Sequence, residues 1–164
     1  MLVIEGSQKA PGMTFALVVS KFNDFITARL QAGAVEGLKS SGVAEADICV
    51  IRVPGAFEIP FAAKEAASRG QFAAVVCLGC LIRGATAHFE YIASACAHGI
   101  TEAAASTGVP MTFGVLTTNS VEEALERSGE GPENKGWEAA IAAVEMATLR
   151  RTIAQPRPPK GVSV

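Results

Sequence analysis

Four short apolar runs mark the chain, at Thr14 to Val19, Ile48 to Val53, Ala73 to Ile82 and Met111 to Leu116, and each is followed by a stretch with helical periodicity. The runs are nearly continuously apolar rather than alternating, which is the pattern of parallel strands covered by helices on both faces. The repeat therefore predicts a three-layer α/β/α sandwich around a four-stranded parallel sheet.

The helical stretches carry their own start and stop signals. The first is expected from about Phe25 to Ser41, with Ile26, Leu30, Ala34 and Leu38 on one face and Gly42 ending it. A second should open at Ile59-Pro60, where proline suits a first turn, and end before Gly70. Phe89, Ile92, Ala93, Cys96 and Ile100 define a third that ends near Gly108. Asn119 or Ser120 can cap a short fourth helix, whose Glu122 and Glu123 favour the positive end of its dipole. After a Gly- and Pro-containing break at Gly129 to Glu133, Trp137, Ala140, Ile141 and Val144 are expected to form the buried stripe of the last helix.

Length and composition sharpen this picture. The 164 residues suit one domain, taken here as 1–154, followed by a Pro-rich tail, 155–164, expected to be disordered or draped over a neighbour. Hydrophobic residues make up 49% of the chain and mean hydropathy is +0.32, yet no apolar run reaches the roughly 18 residues that span a bilayer. Excess apolar surface without a membrane span points to subunit interfaces and a homo-oligomer. The start Met1-Leu2-Val3-Ile4 lacks the basic flank and cleavage site of a secretory signal, so a cytoplasmic location is expected. A net charge of −2 gives no basic face for nucleic acid.

The four cysteines do not read as a metal site or a disulfide. Cys77 and Cys80 have CxxC spacing but lie inside one apolar strand, roughly 10 Å apart on opposite faces, and no second Cys/His pair has zinc-finger spacing. Buried thiols are expected.

In an open parallel sheet, ligands bind at the loops leaving the carboxyl ends of the strands. Those loops hold the unusual residues: Ser20-Lys21-Phe22-Asn23-Asp24, Pro54-Gly55-Ala56-Phe57-Glu58, Arg83-Gly84-Ala85-Thr86-Ala87-His88 and Thr117-Thr118-Asn119. The turn Arg83-Gly84-Ala85-Thr86 opens a helix, so its amides and the Thr86 hydroxyl could hold a phosphate. A second reading stands beside it, in which Gly84 only makes the turn and Thr86 only caps the helix. Arg127 and Lys135 bracket the break before the last helix, either as solvated charges or folded back toward an anion. His88, in the first turn of a helix at this rim, is a candidate proton carrier, whereas His98 reads as a bystander. Phe22 and Phe57 could stack on a planar heterocycle or plug the core, and Phe113 reads as core on pattern alone.

Other chemistries lack their signatures. No G-x-G-x-x-G or P-loop lysine cradles a nucleotide, no G-x-S-x-G elbow presents a nucleophile, and the aspartate a phospho-receiver needs after the third strand is missing.

Taken in order, the loops resemble the 6,7-dimethyl-8-ribityllumazine synthases of riboflavin biosynthesis. The likeness runs from about Gly12 to Arg151 and rests on Val18 to Asn23, Val53 to Pro60, Leu78 to Tyr91, Phe113 to Thr117 and Asn134 to Glu138. It implies a flavodoxin-like fold and a transferase that needs no cofactor or metal. The reaction would condense 5-amino-6-(D-ribitylamino)uracil with 3,4-dihydroxy-2-butanone 4-phosphate. By the family pattern Phe22 stacks on the pyrimidine, Ala56, Phe57 and Glu58 hold the ribityl chain, and Cys80, Leu81 and Ile82 meet the heterocycle through backbone groups. Ala85, Thr86 and Arg127 would bind phosphate and His88 would shuttle protons, with Lys135 and Glu138 in support.

The resemblance also implies a pentamer whose pockets lie between subunits, each closed by Phe113 of a neighbour. Twelve such rings build a sixty-subunit shell in many relatives. Here Ser128 to Glu133 departs from their Gly-x-Lys-x-Gly-Asn pattern: Gly131 replaces the lysine and Pro132 follows. The absence of an insertion favours the shell, while the proline could alter the kink that sets how pentamers meet. Two other functions fit the same pattern, a lumazine- or flavin-binding carrier without turnover and a riboflavin synthase of the lumazine-synthase-like type. Retention of His88 and Arg127 argues against the first, and Thr86 and Arg127 argue against the second.

Overall fold

The structure is a computed structural model that describes residues 1–155; the predicted tail beyond Gln155 lies outside the described residues. Its element order is β1 (Phe15–Ser20), α1 (Asp24–Ser40), β2 (Ile48–Val53), α2 (Ile59–Ser68), β3 (Ala74–Ile82), α3 (His88–Thr107), β4 (Met111–Thr118), α4 (Val121–Arg127) and α5 (Lys135–Ala154). All four strands are parallel, in the order β2-β1-β3-β4. Every predicted strand and helix is present, in a three-layer sandwich.

Each face of the sheet packs against its own pair of helices. Phe15, Leu17 and Val19 of β1 join Val76 and Leu78 of β3 under α1 and α5. The alternate residues Ala16 and Val18, with Val75 and Cys77, pack under α2 and α3. Cys77 and Cys80 thus fall into different layers of core, as the strand period requires. The predicted face of α1 is fully buried at Ile26, Leu30, Ala34 and Leu38.

Two expectations need correction. β2 is not covered on both faces, since Cys49, Val50 and Arg52 are exposed. It ends the sheet, and an apolar edge strand has the same sequence pattern as an interior one. The buried stripe of α5 is Gly136, Ala139, Ala140, Ala143, Val144 and Ala147, with Trp137 and Ile141 only half-buried on its flank. Small residues carry the contact because α1 comes very close: a Cβ on Gly136 would run into the Leu30 carbonyl, and one on Gly33 into the Asn134 side chain.

Asn134 fixes this approach. Its Oδ1 caps α5 by accepting from Gly136 and Trp137 N–H at 2.7 and 3.3 Å. Its Nδ2 donates to Gly129 O at 2.6 Å and to Arg29 O of α1 at 3.1 Å. One buried amide therefore joins the helix start, the preceding loop and the facing helix. Just after β4, Ser120 rather than Asn119 caps α4, accepting from Glu123 N–H at 3.2 Å.

Replacing Asn134 with alanine removes a cap and orphans buried partners, at a cost of about 2–4 kcal/mol. The thermal midpoint of the variant, compared with the parent at equal chain concentration, should fall clearly; an unchanged midpoint would show that other contacts hold α1 to α5.

Candidate active site

The chain crosses from β1 to β2 on one side and enters β3 on the other, so the β1/β3 rim is the switch point at which parallel sheets open a crevice. A cavity of about 570 Å³ opens there. It is lined by Phe22 from the loop after β1, by Ala56, Phe57 and Glu58 after β2, and by Leu81 and Ile82 at the end of β3. Thr86 and His88 close another side.

Local hydrogen bonds set these side chains. Asn23 adopts the left-handed conformation at φ 58°, which asparagine tolerates better than most residues, and so turns the chain sharply from β1 into α1. Its Nδ2 donates to Cys80 O at 2.9 Å, tying the Phe22 loop to the end of β3. Glu58 folds back to accept from Gly55 N–H at 2.9 Å and holds its turn closed. Phe22 and Phe57 are 68% and 59% exposed, so neither plugs the core; both are free to present a ring face to a ligand.

The turn after β3 is exposed from Arg83 to His88. Thr86 does not cap α3, which begins at His88 with Ala87 at its cap and no side-chain cap bond. The capping alternative is thereby removed, and Thr86 lines the cavity. Cys80 does not line the cavity: its side chain is 1% exposed, and burial pushes its thiol up to about 11. Cys96 is likewise pushed up to about 11 by burial. Burial, with a smaller contribution from Cys96, pushes Cys77 higher still. These three stay protonated at neutral pH and offer no nucleophile.

The remaining predicted residues gather elsewhere. Phe113, Arg127, Lys135 and Glu138 line a second cleft of about 450 Å³ between β4, α4 and α5. Phe113 is 47% exposed although it lies within a strand, because β4 ends the sheet. Arg127 donates to Glu123 O at 3.2 Å, and Lys135 Nζ lies 2.8 Å from both carboxylate oxygens of Glu138. One chain therefore brings Phe22, Ala56, Phe57, Glu58, Leu81, Ile82, Thr86 and His88 together and keeps Arg127, Lys135, Glu138 and Phe113 apart from them. Ala85, exposed in the same turn, lines neither cleft.

Phe89 and Ile92 also line the first cavity, one turn of α3 carrying both into it with His88. They read in sequence as core residues of a helix, and only the position of α3 over the rim exposes their other role. Asn23 carried a readable signal, an asparagine directly between a strand and a helix. Among the described residues no group of three or more His, Cys, Asp or Glu side chains could hold a metal ion, and no helix is long and apolar enough to cross a membrane.

The model of the 6,7-dimethyl-8-ribityllumazine synthase family matches residues 12–151. A 6,7-dimethyl-8-ribityllumazine synthase of Syntrophus aciditrophicus (strain SB) is 53% identical over 151 residues, covering 92% of this chain and 98% of that protein. Another of the same description, from Desulfosudis oleivorans (strain DSM 6200 / JCM 39069 / Hxd3), is 48% identical over 151 residues, covering 92% of this chain and 96% of its own length. With the family model spanning most of the chain and two relatives matched nearly end to end, this chain belongs to the 6,7-dimethyl-8-ribityllumazine synthase family.

Proposed function

We propose that the chain is a lumazine synthase that joins 5-amino-6-(D-ribitylamino)uracil to 3,4-dihydroxy-2-butanone 4-phosphate, releasing phosphate and water. The observation that carries this reading is the division of labour between the two clefts. The first offers ring faces, a carboxylate, a hydroxyl and an imidazole. The second offers a guanidinium and an ammonium–carboxylate pair. A phosphorylated substrate needs both sets, and a second copy of the chain supplies whichever set the first lacks.

Two different patches that complement each other make a head-to-tail contact, which closes into a ring when the rotation allows. A homopentamer satisfies this, with Phe113 and Arg127 of one chain completing the cavity of the next. Phe61 and Tyr91, 74% and 75% exposed, leave large apolar surfaces for such a contact to cover. A shell of such rings is a further step that the Gly131-Pro132 departure bears on, and the cytoplasm is where such an enzyme would work.

The roles follow from the chemistry. The pyrimidine stacks on Phe22, with Ala56, Phe57 and Glu58 along its ribityl chain and the backbone of Leu81 and Ile82 against the ring. Attack of the amine on the ketone releases a proton, and loss of the resulting hydroxyl as water requires one. His88, at the cavity wall, takes and returns it. Phosphate departs next with its charge met by Arg127 and its oxygens by Thr86 and the amide of Ala85. Loss of phosphate leaves an enol that becomes a second carbonyl; the ribitylamino nitrogen attacks that carbonyl, and a second water leaves as the ring closes. Lys135 and Glu138, paired beside Arg127, keep the charge of that cleft fixed. Both reactants bring their own reactivity, so the protein mainly orients them.

Incubation of the purified protein with both substrates should produce lumazine fluorescence, and its absence would overturn the reading. His88→Ala should slow turnover by about 10²–10⁴-fold while pyrimidine binding stays largely intact. Full turnover across pH in that variant would move the proton-carrying role elsewhere. Arg127→Ala should raise KM for the ketone phosphate about ten- to hundred-fold and spare the pyrimidine. Inorganic phosphate should compete with the ketone in the parent, and an unchanged KM in the variant would remove Arg127 from the phosphate site.

A further inference from the structure

Arg83 leaves the sheet at the end of β3, where its N–H donates to Thr118 O at 2.8 Å. Its guanidinium then meets three groups. Nε donates to Asn119 Oδ1 at 3.0 Å, Nη1 donates to a carboxylate oxygen of Glu90, and Cζ lies 4.5 Å from the centroid of the Phe89 ring. Asn119 is itself held, its N–H donating to Glu123 Oε2 at 2.9 Å. The partners thus belong to the first turn of α3 and to the loop between β4 and α4, on either side of the exposed turn Gly84 to Ala87.

That turn carries Thr86 and leads directly into His88. Being exposed throughout, it takes its shape from its two ends rather than from packing. Glu90 adds an electrostatic problem. Its carboxylate is held below the usual range, first by its own backbone N–H and then by Arg83, so it stays ionised in the first turn of the helix that a phosphate would approach. Two anions would then share one helix start.

We propose that Arg83 is a positioning residue for the phosphorylated substrate: strapped to Asn119, Glu90 and Phe89, it fixes the Gly84–Ala87 turn and neutralises the carboxylate that would otherwise oppose phosphate there. The proposal deepens the functional reading above and rests on it. It also separates Arg83 from Arg127, which would touch the phosphate itself. The Arg83 and Glu90 side chains are 46% and 51% exposed, so the effect is moderate.

The test uses the assembled protein with Arg83→Met, Arg83→Lys, Glu90→Gln and the Arg83→Met/Glu90→Gln pair. Arg83→Met should raise KM for the ketone phosphate about five- to ten-fold while KM for the pyrimidine changes by less than about two-fold. Adding Glu90→Gln should recover most of that rise, because the unneutralised charge is gone. Equal rises for both substrates, or no recovery in the double variant, would overturn the proposal. Arg83→Lys keeps the charge and loses the fork, so it should fall between parent and Arg83→Met; parent-like KM in both would also overturn it. Amide hydrogen exchange of residues 84–91 reads the strap without turnover. It should be faster in Arg83→Met than in the parent, and unchanged exchange contradicts the strap. Lack of turnover by the parent would sink the functional reading alone.

Discussion

A departing phosphate must be met by cations already held in place, and one copy of this chain keeps its cleft-lining guanidinium, Arg127, away from the cavity that holds Thr86 and His88. Arg83 is nearer in sequence to that cavity, but its guanidinium is committed to Glu90 and Asn119. This constraint organises the proposed function. On that proposal the chemistry would be incomplete in a monomer, and the missing charge lies in the cleft between β4, α4 and α5 of the same fold. Association, as proposed, would do more than cover apolar surface: it would assemble the site.

The fold makes such a division possible. The cavity at the β1/β3 rim needs loops from β1, β2 and β3, whereas Arg127, Lys135 and Glu138 depend on where α4 ends and α5 begins. Asn134 sets the start of α5, and the glycines at 33 and 136 let α1 lie almost against it. Close packing on one side of the sheet thus places the charged residues that the proposed neighbour would use. Asn23 plays the corresponding part for the cavity, holding the Phe22 loop to the end of β3.

The strands and most helix limits were readable because burial on both faces leaves a continuous apolar run, and caps and glycines mark helix ends. Where reading failed, identical patterns served different environments. Ile48 to Val53 is as apolar as an interior strand but lies at an edge. In the α5 stripe Ala140 and Val144 are buried as expected, but Trp137 and Ile141 are not, because periodicity does not reveal how closely the facing helix approaches. Most of the proposed site residues were recognisable as loop residues out of place. Their separation into two clefts was not, since it depends on which sheet edge each loop reaches. Arg83 has no legible role in the Arg83-Gly84-Ala85-Thr86 turn, because Glu90, Phe89 and Asn119 reach it only through the fold.

The most direct test of a site shared between chains is subunit mixing. Phe22→Ala and Phe113→Ala chains, each weakly active alone, would be dissociated, combined in equal amounts and reassembled, and lumazine formation measured. About a quarter of interfaces in a randomly mixed ring then carry both intact phenylalanines, and activity should rise toward that fraction of the parent. Activity that stays at the level of the separate variants, although mass measurements show mixed rings, would contradict the shared site.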